Sequence, residues 1–212
     1  GRHEQVKFSK DWRNDALRRD FTINSIYSDR EGNIFDPFSG KEDLENGYLK
    51  FIGDDDKRIK EDYLRILRYL RFFISYSNHK HNPETIRIIK KNIDGISQLS
   101  KERLLDELKK ITTPKNLTKI SKDKQTLDLF KIIFPELIHI DIFSKLNSQA
   151  KSFFNEIDFL LLLSIMIVDD TDNADYFLYK YNLSKKDQNR IKIISDFYKD
   201  KSNLKSFSER NM

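Results

Sequence analysis

The sequence predicts an α+β chain that is mostly α: a short sheet-forming part followed by a long helical one. Three observations carry this. Residues 1–52 hold the alternating or β-branched and aromatic runs "VKF", "FTINSIY" and "YLKFIG", separated by the turn-rich stretches "DREGN" and "DPFSGKEDLENG". From Asp54 onward the apolar spacing turns helical. Breakers are then few: Asn82-Pro83, Thr113-Pro114 and Phe134-Pro135.

Taken in order, "GRHEQVKF" begins at Gly1, not Met, and reads as a strand already in progress, so part of the sheet is expected upstream. In "RRDFTINSIY" a strand would place Phe21, Ile23 and Ser25 on one face and Thr22, Asn24 and Ile26 on the other, with Asp20 sharing the parity of Asn24. "DDDKRIKEDYLRILRYLRFFISYS" aligns Ile59, Tyr63, Ile66, Leu67, Leu70, Phe73 and Ile74 along one helical stripe, and is expected to form a connecting helix preceded by an acidic turn at Asp54 to Asp56. The boundary is set near Gly53, giving segments 1–53, 54–112 and 113–212. Phe159 to Val168 is too short to span a bilayer and reads as a buried helix, with Asp170-Thr171-Asp172 as a helix-end loop.

Composition narrows the function classes. With 212 residues, 38% apolar and 34% charged, the chain can bury a core as one large domain or two small ones. Lys and Arg total 39 against 34 acids, so the net charge of +5 permits a polyanionic partner only where the bases cluster. The absence of Cys excludes disulfides, a thiolate nucleophile and Cys-ligated zinc, and fits a reducing, cytoplasmic setting. His3, His79, His81 and His139 offer no helix-spaced ligand pair. No membrane segment, targeting pattern, internal repeat or low-complexity tract is read.

Two charged clusters carry the candidate chemistry. Arg18 and Arg19 suit bidentate contact with phosphate oxygens, while Asp20 and Asn24 suit holding a guanidinium or bonding sugar hydroxyls. The same four residues also fit a solvated strand start. In the second cluster Asp62 lies three residues before Arg65 and Glu61 four before it, the spacing of an ordinary surface salt-bridge ladder. That spacing also suits base reading. A carboxylate accepts from the exocyclic amino group of cytosine or adenine while a guanidinium donates to the adjacent ring acceptor, which admits C and A and rejects G and U. Glu61 would then brace Arg65, and Arg58, Arg68 and Arg71 would add positive charge for a triphosphate or an RNA backbone.

The ordered segments "GRHEQVKF", "RRDFTINSIY", "DPFSGKEDL", "FIGDDDKRIKEDYLRILRYLRF" and "SKERLLDELKKI" resemble the class II CCA-adding tRNA nucleotidyltransferase and bacterial poly(A) polymerase family over residues 1 to 111, and more loosely through "TLDLFKIIFPEL" and "YNLSKKDQNRI". The resemblance implies a partial nucleotidyltransferase head (1–53), a neck with a nucleobase-selecting helix (54–112) and a helical body (113–212) whose tRNA-gripping tail is expected to be reduced or absent. It implies that Arg18, Arg19, Asp20 and Asn24 serve nucleotide sugar and phosphate, and that Asp62 and Arg65, with Glu61 beside them, template CTP and ATP. Asp36, Gly40 and Asp43 match a turn that flexes between additions, and Ser39 stands where many relatives have Gly. Glu102, Arg103 and Glu107 match a neck-stabilising motif, and as residues they also fit a helix start and an i,i+4 pair.

By the same resemblance the two aspartates that hold Mg2+ belong upstream of "GRHEQVKF". The magnesium ligands are therefore expected outside this chain, no residue here is assigned as catalytic or metal-binding, and the chain alone is expected to be inactive. No His-Asp dipeptide is present, so a fused metal phosphohydrolase is not expected. The implied partners are CTP, ATP, a tRNA or other RNA 3′ end, and a possible separate chain supplying the catalytic head. The implied activity is CCA addition, with polyadenylation, or a non-catalytic nucleotide- and RNA-binding half, as alternatives.

Overall fold

The computed structural model describes residues 12–154 and 156–210. The expected strand in "GRHEQVKF" lies outside the described residues. As predicted, the fold is α+β and mostly α: its only sheet among the described residues is a two-stranded antiparallel hairpin pairing Tyr27 with Phe35 and Ser28 with Ile34. The chain divides into two compact units, residues 1–94 and 95–212.

In the first unit, α1 (Trp12–Leu17) leads to a 3-10 turn (Thr22–Asn24), then β1 (Tyr27–Ser28), β2 (Ile34–Phe35) and α2 (Gly40–Asn46). The strand expected through Phe21 to Ile26 is therefore corrected: only Phe21 makes a bridge, to Phe51, and the chain then coils. Short polar side chains explain this, because they offer the backbone a local alternative to the ladder. The Asn24 carboxamide oxygen accepts from the Phe21 amide at 3.1 Å, and the Ser25 hydroxyl donates to the Thr22 carbonyl at 2.7 Å. The face parity assumed for Asp20 and Asn24 does not apply. "YLKFIG" is likewise not a full strand, but it runs alongside, with Thr22 donating to Lys50 and Ile52 to Asp20 through the backbone.

Next come α3 (Asp55–Glu61), α4 (Leu64–Tyr76) and α5 (Pro83–Asn92). The connecting helix expected through this region is broken at Asp62, whose backbone is extended (φ −157°, ψ 106°). The stripe itself is correct: Ile59, Ile66, Leu67 and Leu70 are fully buried, against Phe21, Phe51 and Tyr69. Asp54 caps α3 by accepting from the Lys57 amide at 2.8 Å, and Asp56 binds Lys60 at 2.6 Å and the Asn92 amide at 2.8 Å, tying α3 to α5. Asp20 reaches across residue 53 to Arg65 and Arg68, and Phe21 to Tyr69, so the compact unit runs on through α5 to Asp94.

The second unit follows a 3-10 segment (Ile93–Gln98). It comprises α6 (Lys101–Ile111), α7 (Pro114–Ile120), α8 (Lys124–Ile133), a 3-10 turn (Ile140–Ser144), α9 (Ser148–Phe154), α10 (Phe159–Ile167), α11 (Asn173–Tyr181) and α12 (Lys185–Arg210). Its core draws on Leu108, Leu117, Phe130, Leu163, Met166 and Phe177. The apolar α10 is buried as expected, packed on α11 and α12. Asp170 and Asp172 lie in the α10–α11 connection. No helix among the described residues is long and apolar enough to cross a membrane.

Hydrogen bonds from Lys60, then Asn92, hold the Asp56 carboxyl at about 2, below its ordinary 3.8. A carboxyl depressed on folding stabilises the fold above its unfolded value and loses that contribution on protonation. The stability advantage of the unaltered chain over Asp56→Asn is therefore full above pH 3.8 and disappears as the pH falls through about 2, as urea midpoints measured across that range will record.

Candidate nucleotide-binding site

Asp20 sits at the centre of the first unit's charged cluster. It is 8% exposed and spends both carboxylate oxygens on α4: Oδ1 accepts from Arg65 Nε at 2.7 Å, and Oδ2 accepts from Arg68 Nε. Arg65 Nη1 donates to Glu61 at 2.5 Å and to the Arg58 carbonyl at 2.5 Å. Arg58 closes the ring, donating through Nη1 to Glu61 at 2.6 Å and through Nη2 to the Arg19 carbonyl at 2.5 Å. Burial alone would lower the Arg65 pKa, but the bonds to Glu61 and Asp20 outweigh it and leave the guanidinium's affinity for its proton raised. The Glu61 carboxyl is held below its usual range, chiefly by Arg65. Three guanidiniums, those of Arg58, Arg65 and Arg68, face the two carboxylates of Asp20 and Glu61. Asp62 lies at the helix break beside it, half-buried, its Oδ1 accepting from the Leu64 amide at 3.1 Å.

Arg18 and Arg19 do not join this ring through their side chains. Both are exposed and converge on Asp15, at 2.8 and 2.9 Å, and Asp15 also accepts from the Tyr27 hydroxyl at 2.8 Å. That hydroxyl, then Arg19, lowers the Asp15 pKa. Asp15 escaped the sequence reading although its place three and four residues before the arginines is the spacing of helical ion pairs. Asn24 acts locally, on the Phe21 amide.

Asp36, Gly40 and Asp43 support the same loop from the α2 side. Asp36 accepts from the amides of Gly40 and Lys41 at 2.7 and 2.8 Å, occupying the first turn of α2. Asp43 is buried and accepts from the Thr22 hydroxyl at 2.7 Å and Lys50 Nζ at 2.5 Å. Gly40 touches the Thr22 backbone so closely that a Cβ there would stand 2.1 Å from its carbonyl oxygen. In the second unit, Ser100 caps α6, Glu102 lies exposed on a groove lined also by Lys101, Tyr179 and Lys192, Arg103 is exposed on the first turn, and Glu107 is buried with Lys110 at 3.4 Å.

The charged cluster of the first unit is thus a ring of arginines and carboxylates joining the loop after α1 to α3 and α4, with an acid at the helix break. The family model described as "Poly A polymerase head domain" matches residues 1–50, and that described as "Probable RNA and SrmB-binding site of polymerase A" matches residues 81–140. The CCA tRNA nucleotidyltransferase 1, mitochondrial, of Homo sapiens is 37% identical over 192 residues, covering 89% of this chain and 44% of the relative. The CCA-adding enzyme of Staphylococcus saprophyticus is 32% identical over 212 residues, covering 97% of this chain and 51% of the relative. Among solved structures, the Bacillus stearothermophilus CCA-adding enzyme in complex with CTP superposes with a TM-score of 0.65 at 25% identity, covering 92% of this chain and 49% of that one. This chain belongs to the CCA-adding enzyme and poly(A) polymerase family of nucleotidyltransferases. It spans about half the length of these relatives.

Ser39 adopts a left-handed conformation (φ 55°), which explains why glycine suits that position. Ser39→Gly is expected to stabilise the chain by up to about 1 kcal/mol, and Gly40→Ala to destabilise it by about 1–3 kcal/mol through the clash with Thr22. Urea denaturation of the two variants checks both signs.

Proposed function

We propose that this chain is the base-selecting and RNA-binding part of an enzyme that adds C and A to the 3′ end of tRNA from CTP and ATP. The observation that carries this reading is the fixed guanidinium of Arg65, held by Asp20 and Glu61, three residues after Asp62 at the helix break. The names of the relatives, and the CTP in one of their structures, support it. Asp62 would accept from the exocyclic amino group of the base and Arg65 would donate to the neighbouring ring acceptor. Arg18 and Arg19 would meet the triphosphate, Asp36, Gly40 and Asp43 would shape the flexing turn, and Glu102, Arg103 and Glu107 would steady the neck. The functional segments remain head at 1–53, neck at 54–112 and body at 113–212, and the location cytoplasmic. The family-model descriptions name polymerase A, which keeps A-only addition as the competing reading.

Among the described residues no group of three His, Cys, Asp or Glu side chains converges to hold a metal. The magnesium ligands are not assigned to any of the described residues. The metal-binding carboxylates belong, in this proposal, to residues outside this sequence, in the same or a separate chain, and activity awaits them.

Asp62→Ala should erase the preference for CTP and ATP over UTP and GTP, a change of roughly 5- to 150-fold for one lost base contact pair. Because Asp62 also accepts at the start of α4, this variant should lose about 0.5–2 kcal/mol of stability. Asp62→Asn keeps an acceptor for α4 and should relax selectivity with little change in stability. Nucleotide titrations and melting curves of both variants check this, and selectivity left intact by Asp62→Asn would sink the template role. For Arg19→Ala, triphosphate affinity should fall at least about tenfold, the scale of one lost hydrogen bond between charged groups, with nucleoside affinity unchanged. Equal triphosphate affinities by calorimetry would return Arg19 to a purely structural pairing with Asp15.

A further inference from the structure

We infer that Asp20 is a positioning residue for base selection: it sets the direction of the Arg65 guanidinium and does not itself contact the nucleotide's sugar or phosphate. The inference rests on the base-template reading above and changes the role that the family resemblance gives Asp20.

Three observations carry it. Asp20 is buried, and each of its oxygens accepts from an arginine Nε of α4, so both are committed to that helix. Arg65 is held at two of its three nitrogens, Nε by Asp20 and Nη1 by Glu61 and the Arg58 carbonyl, and among the described residues only Nη2 has no acceptor. A planar guanidinium fixed at Nε and Nη1 has no remaining rotation, so the direction of Nη2 follows from the other two. Asp20 holds the stem side of that plane and Glu61 the far side. Glu61 is 52% exposed in its side chain against 10% for Asp20, so the buried partner is the stiffer of the two. Arg68, on the second oxygen, keeps the carboxylate from rotating toward a new partner.

A sugar contact and a positioning role make different predictions. A carboxylate that bonds the ribose discriminates CTP from 2′-deoxy-CTP. A carboxylate that aims Arg65 discriminates CTP from UTP, since cytosine presents a ring acceptor where uracil presents a donor. Equilibrium binding of CTP, UTP and 2′-deoxy-CTP to this chain and to Asp20→Asn separates the two. The expected result is a fall of at least about fivefold in the CTP/UTP affinity ratio, the lower end of what one base contact pair supplies, with the CTP/2′-deoxy-CTP ratio unchanged. Asp20→Glu, which keeps the charge but moves the carboxylate by one methylene, should show the same pattern and serves if Asp20→Asn does not fold. In the Arg65→Lys background neither substitution should lower the ratio further. A retained CTP/UTP ratio with a lost ribose preference overturns the inference and makes Asp20 a sugar contact. Absence of any CTP preference in the unaltered chain overturns the base-template reading and this inference with it.

Discussion

The carboxylate of Asp20 is the point on which the first unit's functional geometry depends. It belongs to the loop after α1, yet both its oxygens are committed to α4, more than 40 residues along the chain. Breaking a buried ion pair from one side leaves an uncompensated charge at a cost of about 3–5 kcal/mol, so the loop and the helix are locked in one arrangement. The Arg58 bond to the Arg19 carbonyl adds a second tie between the same two segments. Beneath these charges the Phe21, Phe51 and Tyr69 rings supply the apolar contact that keeps water from competing.

The loop is equally constrained from its other side. Thr22, two residues past Asp20, gives its hydroxyl to the buried Asp43 and its carbonyl to close contact with Gly40. The segment 20–22 is thus pinned between α2 and α4: Phe21 stays extended and bridged to Phe51, and the 3-10 turn begins only at Thr22.

The sequence made some of this legible and hid the rest for physical reasons. The α4 stripe and the buried α10 follow from fixed helical spacing, which is a local property, whereas the Glu61–Arg65 pairing expected from that spacing forms across the break at Asp62. The clustering of Asp20 with Arg65 and Arg68 is not local, and no spacing rule connects residues that far apart. "FTINSIY" has the composition of a strand, and the deciding contacts are side-chain bonds from Asn24 and Ser25 whose strength depends on burial. Asp15 was within reach of a spacing rule, but a lone acid before two arginines is also the commonest kind of surface pair.

The break at Asp62 shows how the hidden part creates the chemistry. In an unbroken helix the Arg58 carbonyl would accept from the amide of Asp62 four residues on. Ending α3 at Glu61 releases that carbonyl, and Arg65 Nη1 takes it at 2.5 Å. A helix C-terminus carries partial negative charge on its unsatisfied carbonyls, which favours a guanidinium there. The same break removes Asp62 from the helical ladder and lets its carboxylate act at the start of α4. One interruption thus supplies an acceptor that immobilises the arginine and turns the neighbouring acid toward the head of the next helix. "EDYLR" reads as continuous helix because its residues all tolerate one; the break is accompanied by side-chain bonds to the Arg58 carbonyl and the Leu64 amide that the spacing does not reveal.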